Sequence, residues 1–481
     1  MTDSTPSDID RVATAAARAF RITAASSDAE RASWLRAVAD ELDASASELV
    51  EIADRETALG AVRLRGEVGR TTGQLRLFAT VVEEGSYLEA VIDHAVPDAT
   101  PPRPDLRRIL RPLGPVAVFA ASNFPFAFSV AGGDTASALA VGCPVIVKAH
   151  SGHRELSRRV AELVSAALSA AGAPDGVFAL VEGREAGVAL IEHPAIAAGS
   201  FTGSVAGGRA LADRAAARPA PIPFFGELGS INPVVVTEAA DAARGAALAQ
   251  GLAGSFQLGS GQFCTKPGLV FVPSGSAVEA ALPAHVGAAP HRLLTDAIDR
   301  GFRDGLAHLA AVPGAEVVAS APATDDGIPQ PLVYAVDLET FAEHAETLSA
   351  EVFGPVTLLV RYRDAEALPR VLEGLEGSLT ATIHAEESDD VSPVLDVLAE
   401  RAGRVLFAGW PTGVAVTWSQ HHGGPWPATN TQHTSVGATA ARRFQRPLAY
   451  QDAPARVLPA ALLDENVLGI PRRVDGVLTL P

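Results

Sequence analysis

The chain reads as an α/β protein with two parallel-sheet domains, and three observations predict it. Short β-branched runs alternate with alanine-rich helical stretches from about residue 116, a second series of such runs starts near residue 269, and the first 60 residues carry only helical periodicity. Alternation of this kind produces βαβ units, because each crossover helix buries its apolar face on the sheet it connects.

The elements follow in order. Ile9, Val12, Ala16 and Phe20 recur at helical spacing, and Asp28 is placed to cap a second helix with Trp34, Leu35, Val38 and Leu42 on one face. A helix from about Arg65 to Ala79 sets Arg70 and Gln74, four apart, on one side. The proline-rich PDATPPRPDLRR near residues 97 to 108 breaks the pattern and predicts a linker or an exposed ribbon. The first strand series is VAVFA (116–120), VIVKA (145–149), VFALVEG (177–183) and NPVVV (232–236), with helical segments such as 152–171 between them. The second is LVFVP (269–273), TLLVRY (357–362), TATIHA (380–385) and RVLFAG (404–409). No internal repeat of fixed period is present.

Composition bounds the function. A hydrophobic share of 48% with 20% charged residues is that of a globular protein with ample core. A net charge of −18 argues against nucleic acid or an anionic membrane as partner, since both need basic patches. No apolar run is long enough to span a bilayer, and the amino-terminal MTDSTPSDID lacks the basic and apolar regions of a secretion signal. Two cysteines make no disulfide framework and fit a reducing compartment, so a cytoplasmic location is expected.

Lysine occurs twice, at Lys148 after an apolar strand and at Lys266 beside Cys264, whereas every other basic residue is arginine. A compact ammonium reaches a phosphate or ribose hydroxyl differently from a forked guanidinium, which makes both positions candidates. Gly259-Ser260-Gly261-Gln262-Phe263-Cys264 brings a cysteine out of a glycine-rich turn, where it can serve as a nucleophile or as a structural thiol. Cys143, at the start of a strand, reads as core. Glu227, in FFGELG, is either a desolvated base or a solvated surface carboxylate. Asn123 follows VAVFA, where its amide can donate to a developing oxyanion or simply form a turn before Pro125. Thr202-Gly203-Ser204, with Gly208 five residues after Gly203, is a strand-to-helix turn that matches neither a P-loop nor the dinucleotide fingerprint. His150, His153, His421 and His422 have no cysteine or carboxylate partner at metal-ligand spacing, so no metal site is expected.

Taken in order, Asn-Phe-Pro, the strand lysine, FTGS, Glu-Leu-Gly, Gly-Gln-x-Cys and Glu351-Val352-Phe353-Gly354-Pro355 resemble the aldehyde dehydrogenase superfamily over nearly the whole chain. The resemblance implies two Rossmann-like parallel-sheet domains plus an oligomerisation ribbon. It places cofactor binding in residues 1–93 and 113–232, catalysis in 233–425, and oligomerisation in 94–112 and 440–481, giving a homodimer or homotetramer. It implies Cys264 as nucleophile, Asn123 as oxyanion donor and Glu227 as base. Lys148 would hold the adenosine ribose, Gly203, Ser204 and Gly208 would open the helix facing the pyrophosphate, and Glu351 with Phe353 would position the nicotinamide. Lys266 receives no role. Within the superfamily GELGSINP, GQFCTKPGLVF, HHGGPWPAT, TSVG and the tail LGIPRRVDGVLTL resemble the α-ketoglutaric semialdehyde dehydrogenases. The segment after Lys148 lacks the prolines usual in those enzymes. Ser151 stands where NAD-preferring members carry Glu, so NADP is expected ahead of NAD. A small-molecule aldehyde is the expected substrate, with Arg70, Gln74, Phe124 and Phe128 around it. Two other classes fit parts of the pattern: a non-catalytic nucleotide-binding paralogue, and a thioester-forming hydrolase without cofactor.

Overall fold

The computed structural model describes residues 3–289, 291–324 and 327–481. The helical opening consists of three helices and not two, Pro6–Thr23, Asp28–Ala44 and Ala46–Thr57, followed by Ala61–Glu84. The second helix is capped by Ser27 instead of Asp28. The Ser27 hydroxyl accepts from the Glu30 N–H while the Glu30 carboxylate accepts from the Ser27 N–H, a reciprocal pair that satisfies two otherwise orphaned donors.

A five-stranded, wholly parallel sheet runs Phe178–Val181, Val145–Lys148, Val116–Phe119, Ala198–Thr202, Phe224–Glu227 from edge to edge. Its chain order reverses at Val116–Phe119. Open α/β sheets bind ligands at the carboxyl end beside such a reversal, because the loops on either side diverge and leave a crevice. Pro233–Val236, expected in this series, instead joins a seven-stranded sheet. That sheet's order is Glu316–Ser320, Leu332–Asp337, Val356–Tyr362, Leu269–Pro273, Pro233–Val236, Ser378–His384, Ala402–Phe407. Only the first pair is antiparallel. Its central strands are buried on both faces, which explains continuous apolar runs such as LVFVP.

A third sheet, Gln445–Gln451, Leu106–Pro112, Val91–Asp93, Arg472–Val474, Val477–Thr479, weaves the proline-rich ribbon together with the C-terminal tail. Val91–Asp93 belongs to it, which corrects the expectation that residues up to 93 go with the first sheet. Residues past the second sheet return to the first: Leu228 N–H donates to Ala428 O at 2.8 Å, and Glu227 bridges Thr429.

One buried ion pair binds these returns. Arg443 donates to Asp134 at 2.6 Å, and the Ser200 hydroxyl donates to the other Asp134 oxygen at 2.6 Å, joining the C-terminal turn, the helix Gly133–Ala140 and a central strand. Asp134→Ala strands a buried guanidinium, so it should destabilise the fold by about 3–5 kcal/mol in urea titration; a loss below about 1 kcal/mol would show that the pair is solvated.

Candidate active site

The carboxyl ends of the first sheet supply much of the site. Lys148 is the last residue of its strand, Asn123 follows Val116–Phe119, and Glu227 ends the edge strand. Glu227 is therefore a strand residue. The next strand begins only at Pro233.

Cys264 arrives on the loop between the helix Glu238–Phe256 and the strand Leu269–Pro273. Gly259, Ser260 and Gly261 take φ of 58°, 53° and 69°, three consecutive left-handed residues that L side chains resist. The Ser260 hydroxyl donates to His291 O at 3.1 Å. A Cβ on residue 261 would lie 2.1 Å from Gly354 O, so this turn packs directly on the Glu351–Pro355 loop. Two side chains then strap the loop. Asn232 Nδ2 donates to Cys264 O at 2.8 Å and Lys266 O at 2.9 Å, and its Oδ1 accepts from Ser230 Oγ at 2.6 Å and Thr380 N–H at 3.2 Å. Buried Lys266 donates to Val352 O at 2.9 Å and Val356 O at 2.8 Å, spanning Phe353. Burial pushes its ammonium down, and the Glu351 carboxylate opposes that push.

Around the thiol the structure assembles a cluster that chain spacing hides. Cys264 Sγ lies 3.6 Å from His422 Nε2, His422 Nε2 lies 3.0 Å from Glu227 Oε1, and the Ser435 hydroxyl donates to Glu227 Oε2 at 2.6 Å. Local spacing gives His422 no cysteine or carboxylate partner, and in the fold its partners come from 158 and 195 residues away. The three ligand atoms lie within 4.8 Å of one another, compact enough for a soft divalent cation as well as for proton chemistry. Burial, then the negative charge and hydrogen bonding of Glu227, hold the Cys264 thiol well above its ordinary range. Burial also pushes Glu227 upward, but His422 and then the Ser435 and Cys264 hydrogen bonds outweigh it and keep the carboxyl below its usual value. The resting pair is thus thiol and carboxylate. Because a single nitrogen of His422 faces both Glu227 and Cys264, while Nδ1 is buried without a partner, the imidazole acts as an N–H donor to both. Asn123 is buried, with Nδ2 donating to Gln262 O at 3.1 Å two residues before Cys264.

On the other side of Cys264 lies an aromatic recess. Phe124 packs on Phe128 and Phe263 at ring distances of 5.3 and 5.1 Å, and the Arg70 guanidinium lies over Phe124 and Phe128 at 5.6 and 5.3 Å. Arg70 Nε and Nη2 are buried without a hydrogen-bond partner. Glu67, the alternative partner for Arg70, accepts from Phe126 and Ala127 N–H at 2.8 and 3.0 Å, and no ion pair joins it to Arg70 among the described residues. Gln74 is buried against the same loop, with Nε2 3.5 Å from Ala127 O.

The cofactor candidates lie along the sheet's carboxyl edge. The Lys148 stem passes Gly187, and Ser151 is exposed in the turn before the helix Arg154–Ala170. Ser204 caps Val205–Ala216 by accepting from Gly207 N–H at 3.2 Å, and Gly203 N–H bonds Glu227 O at 3.0 Å. A Cβ on Gly208 would strike Leu228 at 2.1 Å, so glycine allows this helix to press onto the strand end. A capped helix N-terminus at the carboxyl end of the sheet suits a pyrophosphate. Glu351 accepts weakly from Ser230 N–H at 3.4 Å, next to half-buried Phe353.

The aldehyde dehydrogenase family model matches residues 1–426. The chain belongs to the aldehyde dehydrogenase family. α-Ketoglutaric semialdehyde dehydrogenase 2 of Azospirillum brasilense is 50% identical, across 98% of this chain and 91% of that protein. The α-ketoglutaric semialdehyde dehydrogenase of Acinetobacter baylyi is 44% identical, across 99% and 92%. Among solved structures, 1-pyrroline-5-carboxylate dehydrogenase from Thermus with bound NAD superposes with a TM-score of 0.79 at 21% identity, over 94% of this chain and 86% of that one, a likeness of fold.

His422, Ser435, Asn232 and Glu67 escape the sequence reading. His422 and Ser435 sit in HHGGPWPAT and TSVG, where the only signal was resemblance. In this aldehyde dehydrogenase, Glu227→Gln removes the negative neighbour that raises the thiol, so the pH midpoint of Cys264 alkylation by iodoacetamide should fall. An unchanged or higher midpoint would remove Glu227 from the thiol's surroundings.

Proposed function

We propose that the protein oxidises α-ketoglutaric semialdehyde to 2-oxoglutarate, with Cys264 as nucleophile, Glu227 as base and Asn123 as oxyanion donor. The observation that carries the substrate is Arg70: a guanidinium with two unpartnered nitrogens, in an aromatic recess beside the thiol of a protein of charge −18. An anionic substrate entering such a field needs a local cation, and a guanidinium grips carboxylate with a planar fork. The two named relatives support the same substrate.

The chemistry follows from the cluster. Glu227 rests ionised and hydrogen-bonded to the thiol, so it is positioned to accept the Cys264 proton as the sulfur attacks the aldehyde carbon. The second amide hydrogen of Asn123 and a backbone N–H near Cys264 stabilise the thiohemiacetal oxyanion. A bound nicotinamide dinucleotide supplies the hydride acceptor. Glu227 releases the thiol's proton to solvent after hydride transfer, and the regenerated carboxylate then takes a proton from the water that hydrolyses the thioester. His422 and Ser435 occupy one site on each of its oxygens and leave lone pairs for that water. Cys264→Ser should abolish oxidation while cofactor binding persists. Glu227→Gln should give one burst at 340 nm and then stall, and undiminished steady turnover would remove it from the mechanism. Arg70→Ala should raise KM for the semialdehyde by roughly tenfold while sparing an uncharged aldehyde of similar length.

For the cofactor, Lys148 would hold the adenosine ribose, the helix opened by Gly203, Ser204 and Gly208 would meet the pyrophosphate, and Glu351 with Phe353 would set the nicotinamide. NADP is preferred over NAD in this reading. Ser151 presents a hydroxyl where a carboxylate would repel the 2′-phosphate, and the Arg154 charge acts on Lys148 alongside. Ser151→Glu should shift kcat/KM toward NAD, and a wild type faster with NAD would contradict the preference.

Residues 113–232 and the amino-terminal helices form the cofactor unit in this account, and 233–425 the catalytic unit. The ribbon sheet makes a homodimer or dimer of dimers. Support comes from its two unpaired edge strands, Gln445–Gln451 and Val477–Thr479, and from exposed Val467, Val477, Leu478 and Leu480 in the tail. No helix among the described residues is long and apolar enough to cross a membrane. With both cysteines free, a cytoplasmic location is the expected one.

A further inference from the structure

The helix Ala61–Glu84 buries an unusual stripe. Arg63, Glu67, Arg70 and Gln74 recur at three- and four-residue steps and so share one face. Buried polar groups are costly unless partnered, and most of this stripe is partnered by the loop 123–128. Glu67 takes two backbone N–H groups, Gln74 reaches Ala127 O, and Arg63 Nη2 donates to Asn123 O at 2.6 Å. The buried atoms of the stripe left without a partner are one carboxylate oxygen, Glu67 Oε2, and three guanidinium nitrogens. Arg63 Nη1 is buried without a partner, like Arg70 Nε and Nη2.

Both guanidinium groups lie over the same ring. Arg63 is 5.3 Å from the Phe124 centroid and Arg70 is 5.6 Å, with Phe263 under Arg63 at 4.7 Å. Room for Arg63 is built into the backbone: a Cβ on residue 259 would lie 2.4 Å from Nη1, and Gly259 has φ of 58°. The two cations are not equivalent. Arg70 lies over Phe128, whose ring packs on His422 at 6.3 Å, and His422 Nε2 is 3.6 Å from the Cys264 sulfur. Arg63 lies instead over Phe263, beside Gly259, and donates to the Asn123 carbonyl. Arg70 is thus the guanidinium on the His422 side of the recess, and Arg63 the one on the Gly259 side.

We propose that Arg63 is a second specificity-determining residue, the outer half of a two-guanidinium clamp that selects aldehydes by the distance between the carbonyl and a terminal carboxylate. Arg70 takes the inner carboxylate oxygen of a five-carbon substrate, and Arg63 Nη1 takes the outer one. A four-carbon aldehyde acid reaches Arg70 alone. The proposal rests on the reading that the substrate is an anionic aldehyde oxidised at Cys264.

The test compares 2,5-dioxopentanoate, 4-oxobutanoate and pentanal with wild type, Arg63→Met, Arg63→Lys and Arg70→Met. Arg63→Met should lower kcat/KM for the five-carbon anion at least tenfold relative to pentanal, mainly through KM, and leave 4-oxobutanoate in step with pentanal. Arg63→Lys, which keeps the charge without the fork, should recover part of the loss, and Arg70→Met should penalise both anions. If Arg63→Met misfolds, Arg63→Gln serves instead, since it keeps an amide donor for the Asn123 carbonyl while removing the charge. Parallel loss on all three aldehydes would mean that Arg63 only holds the Asn123 carbonyl, and would overturn the proposal, as would an unchanged five-carbon preference. A wild type that oxidises pentanal as well as the five-carbon anion would overturn the substrate reading and this proposal together.

Discussion

The active centre depends on holding a strained loop still. Three left-handed residues in succession bring Cys264 out of its helix, and a backbone bent that way has no ladder to satisfy its carbonyls. Gln262 donates to the Gly259 carbonyl, and Asn232 and Lys266 fasten the segments that flank the turn. One amide grips the carbonyls of Cys264 and Lys266, and one buried ammonium grips those of Val352 and Val356. The nucleophile loop and the Glu351–Phe353 loop are thereby held to each other as well as to the seven-stranded sheet. Lys266 is irreplaceable by arginine for a geometric reason: a compact donor fits between two carbonyls where a planar fork does not.

With the loop fixed, burial sets the chemistry. A thiol, a carboxylate and an imidazole share a largely buried pocket in which each neighbour's charge acts strongly. The carboxylate wins the competition for negative charge because His422 and Ser435 donate to it, so the thiol rests protonated with a base already in place. Arg70, on the far side, brings positive charge to the same pocket and binds an incoming anion where the net charge of −18 would otherwise repel it.

The two sheets were legible from period and composition, because LVFVP and VIVKA are apolar runs of strand length between helical segments. Ala198–Thr202 and Phe224–Glu227 are short and interrupted by glycine or polar residues, and were not read as strands, whereas Leu332–Asp337 is a plain apolar run, LVYAVD, that was passed over. The break between the second and third helices is a single residue, Ser45, too short to disturb the apolar period. At the site, Cys264, Glu227 and Asn123 stood out through short-range context. His422 and Asn232 act across long stretches of chain, and such pairing leaves no local mark. Glu67 and Arg63 lie on a helix whose buried face is polar, the reverse of what an apolar stripe leads one to seek. Gln74 shared the right face, yet faces of helices do not say which residues reach an opening and which stop at a loop.

The central claim is that Cys264 carries the substrate between oxidation and hydrolysis. Its most direct test is acid quenching of the wild-type enzyme during turnover with 2,5-dioxopentanoate and oxidised cofactor, followed by peptide mapping by mass spectrometry. The expected result is the acyl mass of the oxidised substrate on the peptide containing Cys264 and none on that containing Cys143. Acylation elsewhere, or turnover with no acylated cysteine at any quench time, would contradict the account.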